Sequence, residues 1–338
     1  MNRTGGADRM QAAIMSAGRG LRVGVVGVGV MGSNHARVLA ELPGVDFIGV
    51  ADPDVAQAHS VAQALGCAEF PEFTSLLDAG VDAVTIAAPT HVHHEIALAC
   101  IARGVHVLVE KPIASTIEEA RAIVAAARRA GVLLMIGHVE RFNPAVQAIK
   151  DALRGEDILS IAITRVGPFP PRMSNVGVVI DLAVHDIDLI RWFTDSEIVE
   201  VQPQLSSAVA EREDIALLQF RTASGVLAHI NTNWLTPFKT RDVQVATRRK
   251  YVMANLLTRE VTECFGFQPD GAYSMRHLPV GHAEPLRAEI AAFVAAVRSG
   301  TAPAVTGEEG VASLEIAMRC LRPAHAEPVR KGPRRVAG

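Results

Sequence analysis

A glycine-rich turn between an apolar run and an amphipathic segment limits what this chain can fold into. The segment VGVVGVGVMG carries the pattern G-x-G-x-x-G at Gly27, Gly29 and Gly32. Between a strand and a helix, these glycines permit a tight turn, close approach of a pyrophosphate, and close helix–strand packing, respectively. The free amides and dipole at the helix start, around Val30 and Met31, also favour phosphate. In a chain rich in alanine and glycine, the same letters are also compatible with a plain tight turn.

The pattern around the turn supplies the context that the glycines need. Short, nearly all-apolar stretches alternate with helical ones from residue 21 to residue 140. This alternation is typical of a parallel sheet covered on both faces, so we expect an α/β fold that begins with a doubly wound Rossmann domain. Ligands bind at the carboxyl ends of such strands. The loops expected to meet there are Gly27–Gly32, Asp52, Pro89–His94 and Glu110–Pro112.

The sequence pattern changes beyond residue 141. Residues 197–263 read as alternating β-type sequence, and a hairpin turn is predicted at Thr222–Gly225. We therefore expect a C-terminal α+β domain over residues 141–321, with a mixed, mainly antiparallel sheet. One sheet face would be free for a partner subunit or a ligand. Residues 1–20 and 322–338 are predicted to be disordered tails.

The composition excludes several classes of function. Of the 338 residues, 20% are charged, and the formal net charge is −3. This balance disfavours a partner that is nucleic acid or a membrane surface. No uncharged apolar run approaches the roughly 18 residues of a membrane helix, and no signal-peptide pattern opens the chain. Four well-separated cysteines without a C-x-x-C spacing indicate a reducing compartment, so we expect a cytoplasmic protein.

Asp52 ends the second predicted strand, 20 residues after Gly32. A carboxylate here can accept hydrogen bonds from both ribose hydroxyls of a dinucleotide, and it repels a 2′-phosphate, which favours NAD over NADP. The alternative is that Asp52 caps the next helix, although Asp54 suits that role as well or better. Further cofactor contacts are expected from the neighbouring loops, at Pro89, Thr90, His91, His93, Glu110 and Lys111.

Lys111 follows a buried strand at the predicted crevice, where a long charged side chain is unusual. Shielded from water beside a cationic nicotinamide ring, its pKa would fall, and it could hydrogen-bond a substrate hydroxyl or relay the hydroxyl proton. The alternative is that Lys111 extends to solvent. The Lys111–Pro112 peptide bond is a candidate for the cis form, which would fix the backbone there.

A second group of polar residues opens a predicted helix. Asp181, His185 and Asp188 recur at i, i+4 and i+7, so they share one helix face. An imidazole held by carboxylates is a plausible general base near neutral pH. The alternatives are an N-cap at Asp181 and a surface pair of His185 with Asp188.

Metal binding is not expected at either histidine-containing segment. Neither a cysteine nor a third histidine stands at metal spacing from His185. His91, His93 and His94 more simply cap a helix or contact the cofactor than form a ligand set.

Together these motifs resemble the Gfo/Idh/MocA oxidoreductase family over about residues 21–320. The resemblance rests on VGVVGVGVMGSNHA, VADPD, AAPTHVHHEIA, VHVLVEKPIA and Asp181-x-x-x-His185. It implies hydride transfer between a sugar or polyol carbon and tightly held NAD(P). It also implies that Lys111, Asp181 and His185 are catalytic and that His93 contacts the cofactor. By family analogy we expect a homodimer or homotetramer.

Four stretches are similar to one branch of the family, the UDP-N-acetylglucosamine 3-dehydrogenases: GHVERFNPAV, RVGPFPPR, GVVIDLAVHDIDLIRW and NWLTP. Those enzymes oxidise a sugar 3-hydroxyl to a ketone. Asn143 and three arginines in these segments, Arg141, Arg165 and Arg172, are candidate substrate contacts beside His185. Arginines suit a diphosphate because they donate forked hydrogen bonds, although solvated loop arginines fit the sequence equally well.

The resulting hypothesis is NAD-dependent oxidation at C3 of a UDP-N-acetylhexosamine. In it, His185 is the base, Asp181 orients His185, and Lys111 acts at the same hydroxyl oxygen. Alternative substrates are a free polyol, an aldose or a UDP-hexuronic acid. A non-catalytic NAD-binding regulator is a further alternative. In all the enzymatic cases the partner is a small molecule.

Overall fold

The computed structural model describes residues 20–169 and 176–322. Arg172 lies outside the described residues, as do the two predicted tails except Gly20 and Arg322. The chain divides into two compact units. The described part of the first comprises residues 20–151 and Pro279–Leu314, and that of the second comprises the remaining residues from 152 to 278 and from 315 to 322.

The first unit is built on a six-stranded parallel sheet in the order β3-β2-β1-β4-β5-β6. Its strands are β1 (Leu21–Val26), β2 (Val45–Ala51), β3 (Ala68–Phe70), β4 (Ala83–Ile86), β5 (His106–Glu110) and β6 (Leu134–Gly137). Every residue of β4 and nearly every residue of β5 is buried, which explains their continuous apolar sequence. The strand order reverses between β1 and β4, so the loops that follow these two strands border a crevice.

The α-helices of the described residues are α1 (Val30–Glu41), α2 (Val55–Leu65), α3 (Phe73–Asp78), α4 (Thr90–Ala102), α5 (Ile117–Ala130), α6 (Pro144–Ala152), α7 (Val184–Thr194), α8 (Pro285–Ser299) and α9 (Gly307–Leu321). Their starts follow local capping chemistry. Thr116 and Glu119 form a reciprocal capping box at α5, and the Asp54 side chain accepts the Gln57 amide at α2. None of the described helices is long and apolar enough to cross a membrane.

Helix α8 belongs to the first unit, although the sequence-based division placed all of residues 141–321 in the second domain. It packs on α1 and on a 3₁₀ turn at Val139–Phe142. Two ion pairs join it to α1, from Arg37 to Glu284 and from Arg287 to Glu41. Helical periodicity shows that α8 has an apolar face, but it does not show which sheet or helix that face covers. The return of the chain to the first unit could therefore not be predicted.

The second unit contains a mixed eight-stranded sheet in the order β14-β13-β12-β11-β7-β10-β9-β8. Its strands are β7 (Ile158–Pro168), β8 (Ile198–Ser206), β9 (Ile215–Thr222), β10 (Leu227–Asn233), β11 (Leu235–Thr247), β12 (Lys250–Asn255), β13 (Glu260–Phe265) and β14 (Ser274–His277). Of its pairings, only β7 with β10 is parallel among the described strands. The predicted mainly antiparallel sheet is thus confirmed, and so is the hairpin turn, where Gly225 has a φ of 92°.

One face of this sheet is covered and the other is open. Along β9, Ala216, Leu218 and Phe220 are buried, whereas the side chains between them are exposed. This is the period-two pattern of a half-buried strand. Helix α7 packs against β7.

Candidate active site

The glycine turn follows β1, as its motif predicts, and two of its glycines are required by the protein itself. Gly27 has a φ of +84°, and a Cβ there would lie 2.5 Å from the backbone of Ala88. A Cβ on Gly32 would lie 1.8 Å from the carbonyl oxygen of Gly27. A tight turn and a close helix–strand contact therefore explain these two positions.

Gly29 differs from its two neighbours in the motif. Its φ of −62° suits any residue, and a Cβ built there meets nothing within 4 Å. No contact within the described protein therefore requires glycine, and the space in front of it is open to a ligand. Helix α1 begins directly afterwards, with Val30 73% and Met31 39% exposed. The amides at a helix start lack partners within the helix and suit an anion.

Asp52 links this turn to the end of β2. Its Oδ2 accepts the Val28 amide at 2.8 Å, and its Oδ1 accepts the Asp54 amide at 2.9 Å. Helix α2 is capped by Asp54, so Asp52 does not serve as the cap. The carboxylate is half-buried, and each of its oxygens has capacity for another hydrogen bond.

A cavity of about 960 Å³ opens in front of these groups, within the size range of cofactor sites. It lies between the glycine turn, the end of β2 and the loop after β4. Its walls include Gly27, Gly29, Asp52, Asp54, Gln57, Glu72, Phe73, Pro89, His91 and Glu95. Four of these residues are acidic, and no lysine or arginine is among the described lining residues. The cavity therefore offers hydrogen-bond acceptors to hydroxyl groups and no cation to an additional phosphate.

The histidines after β4 separate into two environments. His91 is exposed on the cavity wall, after Pro89 and Thr90 at the start of α4. His93 is 1% exposed, and its Nδ1 and Nε2 lie 3.0 Å from the Pro112 carbonyl and 2.7 Å from the Ala88 carbonyl. Burial lowers the pKa of His93 and outweighs the two carbonyls, so the neutral ring donates to one of them. The ring thus lies between the loops after β4 and β5, and it is not among the described residues that line the cavity.

Glu110 ends β5, and its carboxylate points into the first unit. Its Oε1 accepts from His35 Nε2 at 2.9 Å, and its Oε2 accepts the Lys111 amide at 3.1 Å. Burial opposes ionisation, but the His35 hydrogen bond and the charges of His35 and Lys111 outweigh it. The pKa of Glu110 is therefore below its ordinary value. The Lys111–Pro112 peptide is cis. Lys111 is half-buried at the carboxyl end of β5, on the sheet edge that carries the glycine turn.

In the second unit, Asp181 lies within a turn of π-helix, Val179–Ala183, that runs into α7. Its amide bonds to the Gly177 carbonyl, so Asp181 is inside the helical segment and is not its cap. Glu213 accepts the Val179 amide at 3.2 Å and serves that end of the segment instead. Single π-turns occur frequently at functional sites. Both Asp181 and His185 are half-buried.

Two of the arginines predicted as substrate contacts occupy buried positions. Arg165 lies in β7, is 1% exposed, and donates from Nε and Nη2 to both carboxylate oxygens of Asp186 at 2.7–2.9 Å. Arg141 is 3% exposed, and its Nη1 donates to Glu309 at 2.6 Å. The alternative of solvated loop arginines is wrong at both positions, because each guanidinium is buried against a carboxylate.

Asn143 is also buried, and its Oδ1 accepts the Ala145 amide at the start of α6. Its described contacts are those of a turn residue at a helix start.

Sequence reasoning missed several buried polar residues, among them His35, Asp186 and Glu289. The burial of Glu289 could have been predicted, because it stands on the apolar face of α8 with Leu286, Ile290 and Phe293 at helical spacing. His35 stands three residues after the last glycine of the motif, in a helix whose burial on that side could be predicted.

Comparison with known proteins identifies the family. Residues 21–138 match the oxidoreductase family with an NAD-binding Rossmann fold, and residues 158–251 match the GFO/IDH/MocA C-terminal domain. UDP-N-acetylglucosamine 3-dehydrogenase of Acidithiobacillus ferrooxidans is 33% identical over 70% of this chain and 74% of its own. Inositol 2-dehydrogenase of Rubrobacter xylanophilus is 33% identical over 89% and 90% of the two chains.

Solved structures agree with this assignment. The Acidithiobacillus enzyme, GnnA, superimposes with a TM-score of 0.82 at 30% identity, covering 88% of this chain and 95% of its own. GenD2 from gentamicin A biosynthesis, solved in complex with NAD, has a TM-score of 0.78 at 26% identity, covering 90% and 94%. The chain belongs to the Gfo/Idh/MocA family of NAD-binding oxidoreductases and is a dehydrogenase of the sugar and sugar-alcohol type.

Proposed function

We propose that this protein oxidises the 3-hydroxyl of a UDP-N-acetylhexosamine to the 3-keto sugar, with NAD as the hydride acceptor. The supporting observation is the 33% identity to UDP-N-acetylglucosamine 3-dehydrogenase, together with the branch-like segments around Arg141, Arg165 and His185. The buried ion pairs of Arg141 and Arg165 support a structural role for these two residues, so we propose that other groups recognise the diphosphate.

The choice of NAD over NADP is part of this proposal. Supporting it are the position of Asp52 at the end of β2 and the acidic wall of the cavity, at Glu72 and Glu95. A 2′-phosphate near these carboxylates would meet like charge with no described cation to balance it. Gly29 leaves open space in front of its backbone, as the approach of a pyrophosphate requires.

Three residues carry the proposed chemistry. His185 takes the proton of the reacting hydroxyl, and Asp181 orients the imidazole. Lys111 hydrogen-bonds the hydroxyl oxygen, and its backbone is held by the Glu110 carboxylate. When bound, NAD supplies the redox chemistry by accepting the hydride, while the protein supplies position and electrostatics.

The experiment is a substrate panel with the purified protein. UDP-N-acetylglucosamine, UDP-N-acetylgalactosamine, UDP-glucuronic acid, myo-inositol and glucose are each incubated with NAD, and NADH formation is followed by absorbance. Parallel reactions contain a 2-oxo acid as acceptor, because a retained cofactor needs regeneration to turn over. The proposal expects kcat/KM for a UDP-N-acetylhexosamine to exceed that for the free polyols by at least about 100-fold, roughly 2.7 kcal/mol.

A polyol dehydrogenase is the second candidate. It is favoured by several inositol dehydrogenases that match at 27–33% identity over about 89% of this chain. Preferential turnover of myo-inositol in the same panel would establish this candidate and exclude the sugar nucleotide. Cofactor binding without turnover of any panel member would favour a regulatory role.

We also propose a homodimer or homotetramer formed through the open face of the eight-stranded sheet. That face exposes Leu217 at 49% and Leu227 at 50%. Light scattering with size-exclusion chromatography measures the mass directly, and a monomer at micromolar concentration would exclude this part of the proposal.

A further inference from the structure

Three ionisable side chains are buried together in the first unit. They are His35 on α1, Glu110 at the end of β5 and Glu289 on α8, exposed by 0%, 6% and 0%. One nitrogen or oxygen atom from each lies within 4.8 Å of the others. We call this group the buried acid cluster. It lies next to the backbone of Lys111, because the Lys111 amide donates a hydrogen bond to Glu110.

The two carboxyl groups of the buried acid cluster have unequal partners. Glu110 accepts two hydrogen bonds, from His35 and from the Lys111 amide. Both oxygens of Glu289 are buried without a hydrogen-bond partner among the described residues. An ionised carboxylate with no partner is far more costly to bury than a neutral carboxylic acid. When only one of these two carboxyl groups is protonated, it is therefore Glu289.

The surrounding charges leave this assignment in place. Helix α8 packs on α1 and on the Val139–Phe142 turn. On α1, Arg37 pairs with Glu284 and Glu41. On the turn, Arg141 pairs with Glu309, close in sequence to His138 and Glu140. Burial raises the pKa of Glu289 well above its ordinary value, and the Glu110 charge raises it further.

We propose that Glu289 is a neutral carboxylic acid at neutral pH. It is then a positioning residue that keeps the negative charge next to the Lys111 backbone limited to the single carboxylate of Glu110. In this state the buried acid cluster holds one carboxylate, Glu110, whose hydrogen bonds fix the backbone of Lys111. Ionisation of Glu289 would add a second negative charge beside Glu110 and favour the ammonium form of Lys111. The part of this inference that concerns Lys111 rests on the proposed function, whereas the protonation of Glu289 does not.

The protonation is tested by infrared spectroscopy on the full chain near pH 7. A difference spectrum between wild type and Glu289→Gln should show the carbonyl stretch of a protonated carboxylic acid in wild type alone. Glu263→Gln is the matched control, because Glu263 is equally buried but pairs with Arg276 and Lys250. Its difference spectrum should show no protonated acid. Absence of the band in the Glu289 comparison would overturn the proposal.

A second variant keeps the proposal testable if Glu289→Gln fails to fold. Glu289→Met removes the carboxyl group and places an apolar side chain of similar length in the buried site, so it should also lose the band. Elemental analysis of the purified wild-type protein covers the alternative occupant. A stoichiometric divalent metal that disappears in Glu289→Gln would show that the buried acid cluster is a metal site and would overturn the proposal.

The positioning role is tested by the reactivity of Lys111. Acetylation of Lys111 by acetic anhydride, measured by mass spectrometry between about pH 7 and pH 10 without any substrate, reports how much of its amine is uncharged. In Glu289→Gln acetylation should be at least about threefold faster in the upper part of this range, because the second negative charge, which forms in wild type as Glu289 ionises, can no longer form. With an active substrate, the pH profile of kcat/KM should move toward lower pH. Unchanged Lys111 acetylation would overturn the positioning role, whereas failure of every substrate would overturn only the proposed function.

Discussion

The amide of Val28 donates a hydrogen bond of 2.8 Å to Oδ2 of Asp52. This bond connects the middle of the glycine turn to the end of the neighbouring strand. The groups expected to contact a pyrophosphate and a ribose are therefore fixed relative to each other. The second oxygen of Asp52 accepts the Asp54 amide, which leaves Asp54 to cap α2. These two acids, separated by Pro53, thus have distinct tasks, which makes them a matched pair for mutagenesis.

Asp52→Asn should weaken the preference for NAD over NADP. The amide oxygen retains the hydrogen bond from Val28, while the charge that repels a 2′-phosphate is lost. We expect the ratio of kcat/KM for NAD to that for NADP to fall at least about tenfold, roughly 1.4 kcal/mol. Asp54→Asn is the control, since asparagine caps a helix as well as aspartate does, and it should leave the ratio within about threefold. Equal effects of the two substitutions would show that only general charge matters.

Gly29→Ala should impair NAD binding without unfolding the protein. The new methyl group meets no protein atom within 4 Å, so we expect Tm to change by less than about 2 °C. The NAD dissociation constant, measured by calorimetry, should rise by about 10–100-fold because the methyl group occupies the space of the pyrophosphate. Gly32→Ala should instead destabilise the fold, because its Cβ would overlap the Gly27 carbonyl. Unchanged NAD affinity in Gly29→Ala would argue against a cofactor at this turn.

Lys111→Met should abolish most turnover while NAD binding persists. The substitution removes the ammonium group but retains the length of the side chain and the amide that bonds to Glu110. Loss of a group that assists proton transfer typically costs a factor of about 10²–10⁴, and we expect kcat to fall by that amount. The exposed Lys239→Met serves as the control and should keep near-normal kcat. Near-normal turnover in Lys111→Met would remove Lys111 from the mechanism.

Arg165→Met should destabilise the second unit strongly. It leaves the carboxylate of Asp186 buried and without its guanidinium, a change that typically costs about 3–5 kcal/mol. Urea denaturation followed by circular dichroism measures this loss. Arg221→Met breaks the exposed pair with Glu200 and should cost less than about 1 kcal/mol. If Arg165→Met also lost less than about 1 kcal/mol of stability but bound the substrate more weakly, Arg165 would be a ligand contact instead.

Glu289→Gln should change how stability depends on pH. In wild type, the unfolded chain releases this proton above about pH 4.5, whereas the folded protein retains it to a higher pH. The unfolded state then binds fewer protons, so wild type loses about 1.4 kcal/mol per pH unit across that window. Glutamine has no proton to lose, so the variant should become more stable relative to wild type as the pH rises from 5 to 8. A pH-independent difference in the unfolding free energy would show that Glu289 is ionised in the folded protein.

Local sequence patterns were sufficient to predict much of this molecule. The apolar strands, the glycine turn and the capping residues Thr116 and Asp54 depend on interactions between residues close in the chain. The placement of Arg165, by contrast, depends on Asp186, a partner 21 residues away, which periodicity does not reveal. The motif of His93 likewise does not reveal the two backbone carbonyls beside its ring, while its contact with the cofactor stays a prediction. Strands and turns could thus be predicted from the sequence, whereas the hydrogen-bond partners of these two buried side chains could not.

The most direct test of the proposed activity uses UDP-N-acetylglucosamine that carries deuterium at C3. The purified protein is incubated with this substrate, NAD and no acceptor, and the reduced cofactor is analysed by mass spectrometry. The proposed function predicts that the deuterium moves to the cofactor and that the sugar becomes a 3-ketone. Reduced cofactor without deuterium, or no reduction while deuterated myo-inositol reacts, would contradict it.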